Sequence, residues 1–363
     1  MYEYRELPMN RQMLDIYSDY LISSFSYTTA TGLSTATGGA LSHDQITRFL
    51  SAKDYDAKQL WKLIKPTIRE IETEEGVLIV DDTIEEKQYT DENELITWHF
   101  DHTFGRSVKG VNILSLLYHS QGKVTIPISF QAIQKTEKYI DKKTGKERRK
   151  SLKTKNKYFR DMAKTAVIDN QIKCKWFLAD VWFSSNDNME YIKFDLKKDF
   201  VMPIKTNRLI CRTKEEKKKG QFQQVETLDI AENTSEQIYI KELPFPVLLV
   251  KQVFRNEDGS RGILYLICSD TTVEAKTIMD VYQKRWPIEE YHKSIKSNTG
   301  LAKSPTKTIR TQQNHFFASI YAYYKLELLK LKTKLNHFAI KSKLYFHALQ
   351  ASMQQLEKLQ LAT

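Results

Sequence analysis

The stretch Tyr282-Gln-Lys-Arg285-Trp-Pro-Ile-Glu289-Glu-Tyr-His-Lys-Ser-Ile-Lys296 sets Tyr282, Arg285, Glu289 and Lys296 at steps of three, four and seven residues. On an α-helix such steps keep all four side chains on one face. A carboxylate with an arginine one turn before it and a lysine two turns after it can bind a metal ion while its neighbours bind phosphate. Pro287 lies inside the stretch, and an internal proline removes a helical hydrogen bond. At the first position of a new helix it would instead be favourable. The expectation is a kinked or restarted helix with Glu289 facing inward. Glu290 adjoins Glu289 but does not fall on the step.

Moving toward the N-terminus, two apolar runs end in acids. Val77-Leu-Ile-Val80 leads into Asp81-Asp82-Thr83, and Trp176-Phe-Leu-Ala179 leads into Asp180. Short apolar runs of this kind suit buried strands. Between them lie strands at 111–118 and 124–132, parted by Ser120-Gln-Gly122, and a helix at 158–169. That order predicts a mixed sheet which gathers acids at one edge. Asp81 and Asp82 both qualify for the inward position. After Asp180 comes a strand at 201–205, so Lys205, Asn207 and Arg208 are expected near the same edge as phosphate contacts. Residues 208–268 alternate and turn, with Asn256-Glu-Asp-Gly259 as a hairpin signal. They read as an all-β block. Beyond Ser269 the chain reads as helical, and Phe316, Phe317, Ile320, Tyr324, Leu328 and Leu331 trace an apolar stripe assigned to core packing.

Residues 1–70 also read as helical. Ser42 with Gln45 forms a capping-box pattern opening a helix through Leu50, and a second helix is predicted from Asp56 to Ile64. The pair is either a helix-turn-helix that contacts DNA or a plain packing unit. Lysine and arginine are dense at 135–160; such a run is either a solvated face or a phosphate track.

The 363 residues carry 56 Lys and Arg against 45 Asp and Glu, a net charge of +11. That excess favours a polyanionic partner, because each neutralised phosphate releases counterions. The three cysteines, Cys174, Cys211 and Cys268, form no ligand-spaced cluster and fit free thiols in a reducing cytoplasm. His102, His119 and His292 show no ligand spacing and are expected to be structural or at the surface. The N-terminus has no apolar leader and no run is long enough to span a bilayer, so a cytoplasmic, nucleoid-associated protein with no membrane partner is expected.

Tyr282, Arg285, Glu289 and Lys296 match the YREK signature (Y-x2-R-x3-E-x6-K) of bacterial insertion-sequence transposases, the hairpin-forming branch of the DDE superfamily. Ile79-Val-Asp-Asp82-Thr83 resembles that family's first catalytic block and Leu178-Ala-Asp180 its second. The resemblance covers roughly 70–300. It implies an α/β protein with an RNase H-like mixed-sheet core at 71–207 and 269–335. A β-strand insertion would occupy 208–268, with a helical N-terminal domain at 1–70 that binds DNA ends and a helical C-terminus at 336–363 that supports dimerisation. It further implies catalytic and metal-binding roles for Asp82, Asp180 and Glu289. These would hold two Mg²⁺, with Mn²⁺ able to substitute, and Asp82 would bridge the ions. Tyr282, Arg285 and Lys296 would contact DNA. Of the two strand acids, the resemblance favours Asp82, because it precedes Thr83. The implied reaction is cut-and-paste transposition. A nick at the element's end is followed by hairpin formation, hairpin opening and joining to target DNA, in a homodimer that pairs two terminal inverted repeats. Members that form hairpins hold a flipped base on an aromatic ring; the β block has no tryptophan, which leaves Phe222, Tyr239, Phe254 and Tyr265. The alternatives are an RNase H-like nuclease without strand transfer and an inactive DNA-binding relic.

Overall fold

A computed structural model describes residues 9–101, 105–122, 124–142, 144–255 and 258–361. His102 and Asn256 of the sequence reading lie outside the described residues.

The chain opens with four helices, α1 (Met9–Ser23), α2 (Ala30–Ala36), α3 (His43–Ala52) and α4 (Ala57–Ile71). Ser42 and Gln45 form the capping box: the Gln45 N–H donates to Ser42 Oγ at 3.2 Å and the Ser42 N–H donates to Gln45 Oε1 at 2.8 Å. A cap of this kind is worth about 1 kcal/mol.

Then follow β1 (Val77–Glu86), β2 (Thr97–Asp101), β3 (Arg106–His119) and β4 (Thr125–Ala132). Gly76, at the entrance to β1, faces the Tyr118 ring so closely that any Cβ there would collide with it. The basic segment forms a two-stranded ribbon, β5 (Glu137–Ile140) with β6 (Glu147–Lys150). Helix α5 (Lys155–Lys164) comes next and widens into a π-helical turn over Thr165–Asp169. The parallel part of the sheet is β7 (Trp176–Ala179), a short helix α6 (Asn186–Glu190) and β8 (Asp199–Pro203).

β1 pairs antiparallel with β3, and β3 with β2 and β4. On its other edge β1 pairs parallel with β7, and β7 with β8. Antiparallel strands on one side of β1 and parallel strands on the other make the RNase H-like mixed sheet. The all-β block comprises β9 (Leu209–Cys211), α7 (Lys214–Lys219), β10 (Gln223–Gln224), β11 (Ser235–Ile240), β12 (Val247–Arg255) and β13 (Arg261–Cys268). It does not stand apart. β13 pairs antiparallel with β8 through Leu266–Pro203 and Cys268–Val201. The sheet therefore runs β10-β9-β11-β12-β13-β8-β7-β1-β3-β2, with β4 also on β3.

The chain ends in α8 (Ala275–Gln283), α9 (Pro287–Ser297), α10 (Ile309–Thr333) and α11 (His337–Leu361). α10 is buried on nearly every side instead of along one stripe: Asn314, His315, Ser319 and Glu327 are as enclosed as Phe316, Phe317 and Ile320. Buried polar groups need partners, and Asn314 and His315 of α10 find theirs in the N-terminal segment. Asn314 Nδ2 donates to Leu50 O at 2.7 Å and to Lys53 O at 2.6 Å, and Asn314 Oδ1 accepts from the Tyr55 N–H at 2.9 Å. His315 Nδ1 and Tyr17 Oη are hydrogen-bonded at 3.0 Å. The N-terminal helices and α10 thus share one core.

α4 continues past Pro66 to Ile71, beyond the end predicted at Ile64. Leu60, Ile64 and Ile68 are fully buried on its face toward β4. Burying each such side chain is worth roughly 1.5–3 kcal/mol, enough together to offset the ~3 kcal/mol of an internal proline. Among the described residues no helix is long and apolar enough to cross a membrane.

Candidate active site

β1 is longer than the apolar run suggested. It continues to Glu86, so Asp81 and Asp82 sit mid-strand. Pairing with β7 covers only Val77 to Val80, so the two acids lie where the parallel pair ends. Such carboxyl ends are where α/β sheets place their ligands. Successive strand residues point to opposite faces, and the two acids have different partners.

Asp81 meets α9. Helix α8 ends at Gln283 and α9 begins at Pro287, so the helix is restarted and Pro287 takes the first position. The restart keeps Arg285 on Glu289: Arg285 Nη1 donates to Glu289 Oε1 at 2.9 Å and lies 4.0 Å from Asp81 Oδ2. A carboxylate oxygen of Asp81, one of Glu289 and a ring nitrogen of His292 lie within 4.8 Å of one another. Asp180 stands one residue beyond β7, its Oδ1 accepting from the Trp182 N–H at 2.9 Å. Burial, and then the charges of Asp180 and Asp82, hold the Asp81 carboxyl well above the usual carboxylate range. Burial raises Asp180 too; the Trp182 hydrogen bond opposes this and the Asp82 charge adds to it. Like charges gathered in a half-buried space disfavour ionisation of Asp81 and Asp180, and a bound cation would relieve that repulsion. The hard oxygens of these carboxylates suit Mg²⁺ or Mn²⁺.

Asp82 is held from elsewhere. Its Oδ2 accepts from Asn112 Nδ2 at 2.5 Å and from Lys155 Nζ at 2.7 Å. Of the predicted trio, the structure leaves Asp82 beside Asp180 in electrostatic range and brings Asp81 to Glu289.

The predicted DNA-contacting residues divide. Arg285 sits between the acids with its guanidinium carbon 5.7 Å from the Tyr282 ring centre. Burial pushes the Tyr282 phenol up to about 12. Lys296 Nζ donates to Ile84 O at 2.6 Å, which ties α9 to β1. Lys205 and Arg208 line a 190 Å³ cleft with Val181, Trp182, Ser184 and Ser185. Lys205 Nζ is 5.0 Å from the centre of the Trp182 ring, and Asn207 is exposed in the turn between them. Trp182, 50% exposed, and Trp286, 63% exposed, flank Asp180 and Glu289 in sequence. Of the aromatics named in the β block, Tyr265 is buried and Phe254 is exposed.

His292 is neither at the surface nor satisfied. It is 8% exposed and its Nε2 has no hydrogen-bond partner among the described atoms. Burial, then Lys296 and Arg285, pull its pKa down to about 3. His119 is structural, bonded to Thr125 Oγ1 at 2.9 Å. Sequence reasoning missed Asn112, Lys155 as the partner of Asp82, Trp182 and His292. Asn112 carried a signal, a polar residue inside an otherwise apolar strand.

The sequence matches the model described as DDE superfamily endonuclease over residues 4–221 and that described as transposase DDE domain over residues 140–324. Each match spans more than half of the chain. The chain belongs to the DDE superfamily of transposases and endonucleases. No match was found among curated proteins. Among solved structures, the endonuclease V of Bacillus subtilis is 10% identical, covering 66% of this chain and 95% of its own, with a TM-score of 0.25, too distant to carry an argument. This DDE protein is accordingly a DNA-cleaving enzyme, and the acids gathered where β7 ends are its candidate active site.

Proposed function

We propose that this DDE enzyme is a cut-and-paste transposase whose active site comprises Asp81, Asp82, Asp180 and Glu289. The observation that carries the reading is the convergence of Glu289, from the restarted helix α9, on Asp81 beside Asp180. Asp81 and Glu289 would hold one divalent ion, and Asp180 with Asp82 a second. Bound there, the ions would supply electrostatic stabilisation of the attacking and leaving oxygens of a phosphodiester. The chain's own groups do the rest. Lys155 and Asn112 orient the Asp82 carboxylate. Arg285, anchored on Glu289, presents its remaining N–H groups to the phosphate beside the scissile bond. Lys296 clasps α9 to β1 and fixes the depth of Glu289. Lys205 and Arg208 extend the positive rim along the strand.

Hairpin formation is part of the proposal, and Trp182 and Trp286 give the rim two exposed rings against which an unpaired base can stack. Pairing two element ends needs two active sites, so we propose a homodimer. α11 supports this: only His337 and Ile340 are buried, while Phe346, Met353, Leu356 and Leu359 stay exposed. The partners would be terminal inverted repeats and target DNA, met in the cytoplasm.

The test incubates purified protein and Mg²⁺ with DNA carrying the gene's flanking sequences. Nicks at the ends, then hairpins, then joined products are expected on native and denaturing gels. Cleavage of branched or hybrid substrates with no joining would replace the transposase with the nuclease reading.

A further inference from the structure

Buried polar atoms in folded proteins nearly always have partners. The His292 Nε2 has none among the described atoms although the residue is 8% exposed. The ring lies beside that of Tyr291, centroids 5.4 Å apart. One ring nitrogen sits within 4.8 Å of the oxygens of Asp81 and Glu289. His292 is three residues after Glu289, one helical turn on, so both side chains leave α9 on the same face. An imidazole beside two carboxylates is a metal-ligand set.

We propose that His292 is a nitrogen ligand to the ion held by Asp81 and Glu289, which makes that position selective for Mn²⁺-class ions over Mg²⁺. The proposal rests on the metal-site reading above. Its chemical basis is the donor set: all-oxygen sites suit Mg²⁺, whereas an imidazole favours first-row transition ions. The second position, with Asp180 and Asp82, offers oxygen alone. The two positions would then differ in preference within one active site.

The experiment loads the full-length protein with Mn²⁺ alone, without DNA, and measures affinity by calorimetry and nitrogen coupling by pulsed electron paramagnetic resonance. Wild-type protein should show coupling to an imidazole nitrogen. His292→Asn should lose that coupling and weaken Mn²⁺ binding at this position by at least the ~10-fold that even an outer-shell partner contributes, with Mg²⁺ affinity less affected. Because the nitrogen signal is read on the unaltered protein, misfolding of the variant would not blunt the test. Mn²⁺ that binds, is lost in Asp81→Asn, yet shows no nitrogen coupling would overturn the role of His292 and leave the carboxylate site standing. Mn²⁺ binding that is absent, or indifferent to Asp81→Asn, would overturn the metal-site reading and the proposal with it.

Discussion

Adjacent aspartates on one strand face opposite ways, and that single fact separates Asp81 from Asp82. The motif favoured Asp82, because it precedes Thr83, and nothing in a one-dimensional pattern says which of two neighbours a distant helix will approach. The answer needs the register of β1 against β7 and the docking of α9, and these bring Asp81 to Glu289 while Asn112 and Lys155 take Asp82. Arg285 was legible, because its four-residue step to Glu289 survives the helix restart as a 2.9 Å ion pair. Arg285 is proposed to bind a phosphate. Arg285→Ala should weaken DNA binding and lower the salt slope of log K by about 0.9, the value of one phosphate contact. Binding measured between low and moderate salt checks this, and an unchanged slope would remove Arg285 from the phosphate path.

At the scale of elements, what was readable was local. The cap of α3, the apolar runs of β1 and β7 and the turn at Ser120 follow from neighbouring residues. What was not readable depended on partners far along the chain. α4 passes Pro66 because Ile68 beyond it is buried and Thr67 is hydrogen-bonded to Tyr324 of α10. α10 accepts Asn314 and His315 in its interior because α1 and the α3–α4 turn complete their hydrogen bonds. His315 makes this testable. It is buried between Tyr17 and the Gly300 carbonyl, 2.9 Å from its Nε2, and burial lowers its pKa to about 4. The unfolded value is about 6.5, so the folded state resists a proton that the unfolded chain accepts. Stability from this residue is complete above pH 6.5 and falls as the pH drops toward 4, by about 1.4 kcal/mol per unit. Urea midpoints should therefore fall between pH 7 and pH 5, and His315→Asn should flatten the fall. An equal pH dependence in the variant would show that the α1–α10 contact does not titrate.

Across the whole molecule, the order of strands and acids sufficed for a mixed sheet with acids at one edge, because its strands are apolar and bounded by turn residues; the RNase H-like core was what the family resemblance implied. The β block was recognised as strands but not as a continuation of the sheet, since β13–β8 pairing joins segments some sixty residues apart and no local pattern announces it. The same long-range folding builds the candidate active site from β1, the end of β7 and the start of α9. The account's central claim is that Asp81 belongs to that site with Asp180 and Glu289. The most direct measurement is the Mg²⁺-dependent cleavage rate of labelled end DNA by Asp81→Asn, with binding of the same DNA measured in parallel. The account predicts a rate loss beyond the ~100-fold that removal of an outer-shell partner can cause, with binding retained. Cleavage by Asp81→Asn at close to the wild-type rate would contradict it and leave the strand's catalytic role to Asp82 without Asp81.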